Sequence, residues 1–279
     1  MEVLASGLGA LEGPVTCQDG TLVVTSIDRG KLYRIAAGQV QTLAITGGGP
    51  NGATEGGDGS IFVSQNGGAP PARNEIPSPA GVQVIDPSGA LRRFGDGMRS
   101  PNDLCFGPDG CLYVTDPTRV PERNDGRIWR CSVETGECTQ ILSCDWYPNG
   151  IGFSSDDDWI YVADSRHCRI VRLPIDDPRP DTVETVFKLD HGIPDGFAFD
   201  SEGSLIVACP CFEPGGGDIQ VYREATLTQV IKPGNSQLYT NLAISADARI
   251  YVCDAQGGEV LVDRWPCPGL PLHPFRTHS

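Results

Sequence analysis

Residues 101–116 read PNDLCFGPDGCLYVTD, and residues 148–164 read PNGIGFSSDDDWIYVAD. Each sets a polar side chain after a proline, then a short apolar run, an acidic turn and a strand-like run rich in Ile, Val and Tyr. The unit recurs more loosely as LEGPV, PNGAT, PDGFA and TNLAI, followed by DGTLVV, DGSIFV, EGSLIV and DARIYV. It places one oxygen-bearing side chain at matching positions: Glu12, Asn51, Asn102, Asn149, Asp195 and Asn241. The spacings are 39, 51, 47, 46 and 46 residues, and the turn acid follows seven residues later in five units and six in the last. A repeat of about 40–50 residues with strand–turn–strand content marks a β-propeller.

The expected fold is therefore all-β: a six-bladed β-propeller, with four-stranded antiparallel blades around a central channel. The repeat runs end to end and predicts one domain over 1–279. The Asp-Gly turns supply positive φ for tight hairpins. Gly13, Gly52, Gly150 and Gly196, each next to a marked residue, remove side chains where inner strands crowd the axis. The sixth unit lacks a clear fourth strand after EVLVDRW, and the N-terminal EVLA is expected to supply it, closing the ring. Two insertions interrupt the blades, GGAPPARNEIPSPA at 67–80 and PTRVPERND at 117–125. They are expected to form a rim over one end of the channel.

Composition narrows the function. The 279 residues hold 36 acids against 21 Lys and Arg, a net charge of −15 that disfavours nucleic acid partners. No basic leader with an apolar stretch and no run long enough to span a bilayer is visible, so a cytoplasmic protein without a membrane partner is expected. The eleven Cys are scattered without a CxxC pair and are read as small buried thiols. A Cys131–Cys138 bond across a hairpin is the alternative. No HExxH or Gly-x-Ser-x-Gly occurs, which argues against a zincin or a serine hydrolase.

Rotation about one axis brings the six marked side chains toward one point. A ring of carboxylate and amide oxygens suits a hard cation. One Asn after Pro is an ordinary turn residue; six in register, two replaced by acids, point to a site. Asp116, Asp164 and Asp254, which close YVTD, YVAD and YVCD, are read as ties to turn amides. Arg73 and Arg119, one in each insertion, are candidates to bind substrate hydroxyls or a carboxylate, against the plainer reading of solvated loop residues.

Taken in order, LEGPV, SPNDLCFGPDGCLYVTD, YPNGIGFSSDDDWIYVAD, IPDGFAFDSEGSLIVA and the closing RWPCPGLPLH resemble the SMP-30/gluconolactonase family of six-bladed propellers. The resemblance implies one divalent cation, Ca²⁺, Mg²⁺, Mn²⁺ or Zn²⁺, held by the Glu of EGP, the Asn of PNG and the Asp of PDG. Here these are Glu12, Asn149 and Asp195. It implies substrate contact at Asn102 and a catalytic base at Asp195. The chain departs from some members at Ser100, where they have Arg, and at Ser26, where they have Asp. The implied activity is a metal-dependent lactonase that opens a sugar-acid lactone by water attack on a metal-polarised carbonyl. The alternatives are an esterase or phosphotriesterase using the same cation, a strictosidine synthase-like propeller, and a non-catalytic ligand-binding propeller. The oligomeric state is left open.

Overall fold

The computed structural model describes residues 1–119, 121–213 and 216–276. Among these residues the strands group into six four-stranded antiparallel sheets, a six-bladed β-propeller. Blades 1 to 5 take their strands in chain order, starting at Leu11, Pro50, Leu104, Pro148 and Phe197. Blade 6 joins Tyr239–Ile244, Arg249–Asp254 and Glu259–Arg264 to the N-terminal strand Glu2–Ala5. Glu2 pairs with Val262 and Val3 with Leu261, so the two ends of the chain close the ring as expected.

Period-two alternation explains why every blade is buried on both faces. In blade 3, Leu112 and Val114 pack toward blade 2, while Tyr113 packs toward blade 4. In blade 4, Ile160 and Val162 face back to blade 3, and Ala163 faces blade 5. The core is accordingly six apolar wedges, one at each blade interface. Each buried Val, Leu or Ile contributes about 1.5–3 kcal/mol of apolar burial. The turn between the first two strands needs a left-handed residue in every blade. Gly20, Gly59, Gly110 and Gly203 provide it, and Asp157 (φ 61°) and Ala248 (φ 57°) take the same conformation where glycine is missing.

Two expectations need correction. Cys131 and Cys138 are not thiols: they lie directly opposite each other between the third and fourth strands of blade 3 and form a disulfide. The other nine cysteines are free, so only the general thiol reading stands for them. The second insertion is not a loop. It extends a hairpin, Leu112–Arg119 paired with Glu122–Cys131, with a bulge between Asp116 and Thr118 where Pro117 enters the strand. Val120 lies outside the described residues. Among the described residues, no helix is long and apolar enough to cross a membrane.

A feature outside the repeat lies against the turns between the first and second strands of blades 3, 4 and 5. The segment after Trp265 crosses these turns. Pro268 accepts from Ser201 N–H (2.9 Å), Leu270 N–H donates to Phe199 (2.9 Å), and His273 forms a β-bridge with Phe106. The buried Arg276 guanidinium donates to the Ser154 carbonyl at 2.6 Å and to Asp157, which also holds His273 at 2.9 Å. The strap thus ties blades 3, 4 and 5 together. Truncation after Cys267 removes several buried hydrogen bonds worth about 1 kcal/mol each. It should cost on the order of 3 kcal/mol and lower Tm by roughly 6–10 °C. A melting curve within 2 °C of the parent, on the order of measurement scatter, would show that the strap only rests on the surface.

Candidate metal centre and active site

Ladder pairing breaks at the same place in every blade. Register shifts fall between Glu12 and Val15, Pro50 and Ala53, Pro148 and Ile151, and Tyr239 and Asn241. In blades 3 and 5 the inner strand begins only at Leu104 and Phe197, just past Asn102 and Asp195. The irregular pairing lies beside the marked residues, although Glu12 and Asn241 keep ladder partners in Thr25 and Cys253; bulges are commonly used to re-aim side chains beside sites. The glycines beside them leave room for this: a methyl on Gly150 would meet the Asp195 carbonyl at 2.5 Å, and one on Gly52 would collide with the Asp103 carboxylate.

The structure brings Glu12 and Asp195 within electrostatic reach of each other, and adds a third acid, Asp103. Asp103 occupies the position that is glycine in four other blades. Burial pushes the Asp103 carboxyl up to about 7, against hydrogen bonds from Leu104 N–H, Ile151 N–H and the Asn241 side chain. Burial also raises Asp195 to about 7, opposed by the Arg119 guanidinium and a hydrogen bond from Asn149, and assisted by Asp103. Glu12 is raised well above the usual carboxylate range by burial, then by Asp195 and Asp103, against Arg119 and a hydrogen bond from Asn241. Three acids therefore share one low-dielectric space with a single nearby guanidinium, a cluster short of positive charge.

The amides frame this cluster. Asn149 Nδ2 donates to Ser165 Oγ at 3.0 Å, its amide also lies close enough to Asp195 to favour the charged carboxylate, and Ser165 in turn bonds the Pro194 carbonyl at 2.7 Å. Asn241 serves Glu12 and Asp103 while its own Oδ1 accepts from Leu242 N–H at 2.8 Å. Asn102 is buried, and among the described residues its Nδ2 finds no partner; neither Oδ1 nor Nδ2 of the fully buried Asn51 finds one there.

The two arginines part company. Arg119 ends the long second strand of blade 3 and reaches over the cluster, where burial opposes its charge but Tyr147, Glu12 and Asp195 more than restore it. Its Nε donates to Tyr147 Oη (2.8 Å) and its Nη1 to the Pro70 carbonyl (3.1 Å), pinning the two insertions together. Arg73 is exposed; its backbone N–H bonds the Asp28 carbonyl at 3.0 Å, and among the described residues no hydrogen bond or ion pair joins its side chain to the cluster. Asp116, Asp164 and Asp254, all buried, bond turn amides; Asp116 also bonds Arg127 Nε (2.9 Å), Asp164 bonds Arg169 Nε (2.8 Å), and Asp254 accepts from the Ser236 hydroxyl (2.6 Å).

The donor set fits a divalent cation in charge and hardness: carboxylates and amide oxygens, a deficit of positive charge, and buried carboxamide atoms without partners. Among the described residues, no three His, Cys, Asp or Glu side chains form a cation cage by themselves. A cation here would need the amide of Asn149 beside Glu12 and Asp195.

A six-bladed propeller with an acidic, amide-lined centre at its axis is the class these features define. The chain belongs to the SMP-30/Gluconolactonase/LRE-like family, whose model matches residues 10–260. It is similar to a gluconolactonase of Zymomonas mobilis, 26% identical over 266 residues that cover 77% of this chain and 70% of that enzyme. It spans about half or less of the length of several other relatives. Among solved structures, a gluconolactonase of Xanthomonas campestris superposes with a TM-score of 0.76 at 20% identity, covering 96% of this chain and 88% of the other. Regucalcin of Agrobacterium tumefaciens, a calcium-binding protein, gives 0.76 at 21% identity, covering 96% and 93%. At these identities the superpositions speak for the fold alone.

Proposed function

We propose that this protein is a divalent-metal-dependent lactonase that hydrolyses a sugar-acid lactone at the axial cluster. The observation behind the reading is the convergence of Glu12, Asn149 and Asp195, beneath Arg119, in a family that includes gluconolactonases. Glu12, Asn149 and Asp195 would hold the cation. Bound there, it supplies Lewis-acid stabilisation of negative charge on the lactone carbonyl oxygen.

The chain's own residues do the rest. Asp195, oriented by Asn149, accepts a proton from the attacking water as its oxygen bonds the carbonyl carbon. The ring C–O bond then breaks, the proton passes to the departing alkoxide, and the product is a hydroxy acid that ionises and releases one proton. Asn102 Nδ2, without a partner among the described residues, donates to a substrate oxygen. Arg119 contacts hydroxyls or a carboxylate above the cluster. Asp103, which neither spacing nor motif singled out, shapes the field around Glu12 and Asp195.

Proton release from an aldonolactone tests the reading. Arg119→Ala should raise KM for the aldonolactone by about 10-fold or more, as expected when a site loses a donor to a substrate hydroxyl. It should change KM for butyrolactone much less, and Arg73→Ala should change neither by more than about twofold. Equal effects on both lactones would remove Arg119 from sugar recognition.

A further inference from the structure

In the second strands of blades 1 to 6, the residue just before Ser26, Gln65, Asp116, Asp164, Cys209 and Asp254 lies against the next blade; in blade 3 the strand runs on to Arg119. These residues are Thr25, Ser64, Thr115, Ala163, Ala208 and Cys253. Thr25 Oγ1 donates to the carbonyl of Asn51 at 2.5 Å. Ser64 Oγ donates to the carbonyl of Asn102. Thr115 Oγ1 donates to the carbonyl of Asn149 at 2.7 Å, and Cys253 Sγ approaches that of Glu12 at 3.7 Å. In four of six junctions, then, a buried hydroxyl or thiol of one blade fixes the backbone of the marked residue in the next. The alanines interrupt the pattern at Asp195 and Asn241. There, Gly150 N–H reaches the Asp195 carbonyl at 3.2 Å, and Ser165 bonds Pro194 beside it.

Thr115 makes the tighter form of a bridge that Ser64 also makes, Ser64 Oγ lying 3.4 Å from the Gly52 carbonyl while bonding that of Asn102. The fully buried Thr115 Oγ1 also accepts from the Asp103 N–H at 2.9 Å. One hydroxyl thus joins the backbone of Asp103 in blade 3 to that of Asn149 in blade 4. We propose that Thr115 is a positioning residue for the axial cluster, setting the Asn149 amide relative to Asp103 and so tuning cation affinity. The proposal rests on the cation reading above. Metal sites depend on such outer supports, whose loss typically costs about 10–100-fold in affinity.

Thr25→Val is the internal control. It removes the same hydroxyl from the same structural position, but its partner Asn51 is outside the proposed ligand set. Ca²⁺, and separately Mn²⁺, is titrated calorimetrically into chelator-stripped parent, Thr115→Val, Thr115→Ser and Thr25→Val, with melting curves recorded in chelator. The expected result is a Kd raised about 10-fold or more in Thr115→Val, within about threefold of the parent in Thr115→Ser, and unchanged in Thr25→Val. If the valine variant does not fold, Thr115→Ala is held to the same standard. Parent-like affinity in the hydroxyl-free variant, equal weakening in Thr25→Val, or no rescue by serine would overturn the proposal while leaving the cation site standing. A parent that binds neither of these ions, nor Mg²⁺ or Zn²⁺ titrated in the same way, overturns both.

Discussion

Asp195→Asn should lower kcat for lactone hydrolysis by about 10²–10⁴-fold, the range expected for loss of a general base, with the propeller intact. The substitution keeps shape and volume, and it leaves an oxygen toward the cation. It removes the proton acceptor and one of the charges that hold the metal. The fold should not suffer, because Asp195 sits before the inner strand of blade 5, where ladder pairing has not begun. Relief of its repulsion with Glu12 and Asp103 favours the variant's stability without metal. The measurement is turnover at saturating metal, alongside a far-ultraviolet circular dichroism melt. Near-parental kcat would take Asp195 out of the chemistry.

Glu12→Gln should separate metal binding from folding. In the parent, a cation bound to the native state adds about 2.7 kcal/mol of stability at 100 times Kd, seen as a rise in Tm on adding metal. In the variant that rise should largely vanish, because a neutral amide replaces one of the two ligand carboxylates. Without metal, the variant should melt at or above the parent temperature. The Glu12 carboxylate is buried beside Asp195 and Asp103, and its charge costs stability until a cation offsets it. A full metal-dependent rise in Tm in Glu12→Gln would show that Glu12 is no ligand.

The sequence showed the fold because its signals were local and repeated. The acid-plus-glycine turns and alternating Val, Ile and Tyr identify hairpins, and the spacing counts blades. Closure by EVLA was legible because the sixth unit was a strand short. Rotation, which converts sequence equivalence into convergence, led to the expectation of an axial cluster, whereas the choice of Glu12, Asn149 and Asp195 within it came from the family resemblance. What fell outside the repeat was harder to read. Asp103 hid inside PND, although an acid where four other units carry glycine was a signal available to reading. Arg119 and Arg73 looked alike as insertion residues. They differ because PTRVPERND continues a ladder that holds Arg119 over the cluster, whereas the 67–80 loop leaves Arg73 in solvent. The Cys131–Cys138 bond depended on hairpin register, and the strap after Trp265 has no periodicity to betray it.

The most direct test of the central claim is lactone hydrolysis by one preparation measured three times: as isolated, after stripping with chelator, and after reloading with Ca²⁺, Mg²⁺, Mn²⁺ or Zn²⁺. Proton release from a panel of aldonolactones, butyrolactone, a phenyl ester and a phosphotriester gives the readout. The expected result is aldonolactone turnover that falls to background on stripping and returns with at least one of these ions. Turnover that survives complete removal of metal, or no turnover of any lactone by the reloaded protein, would contradict it.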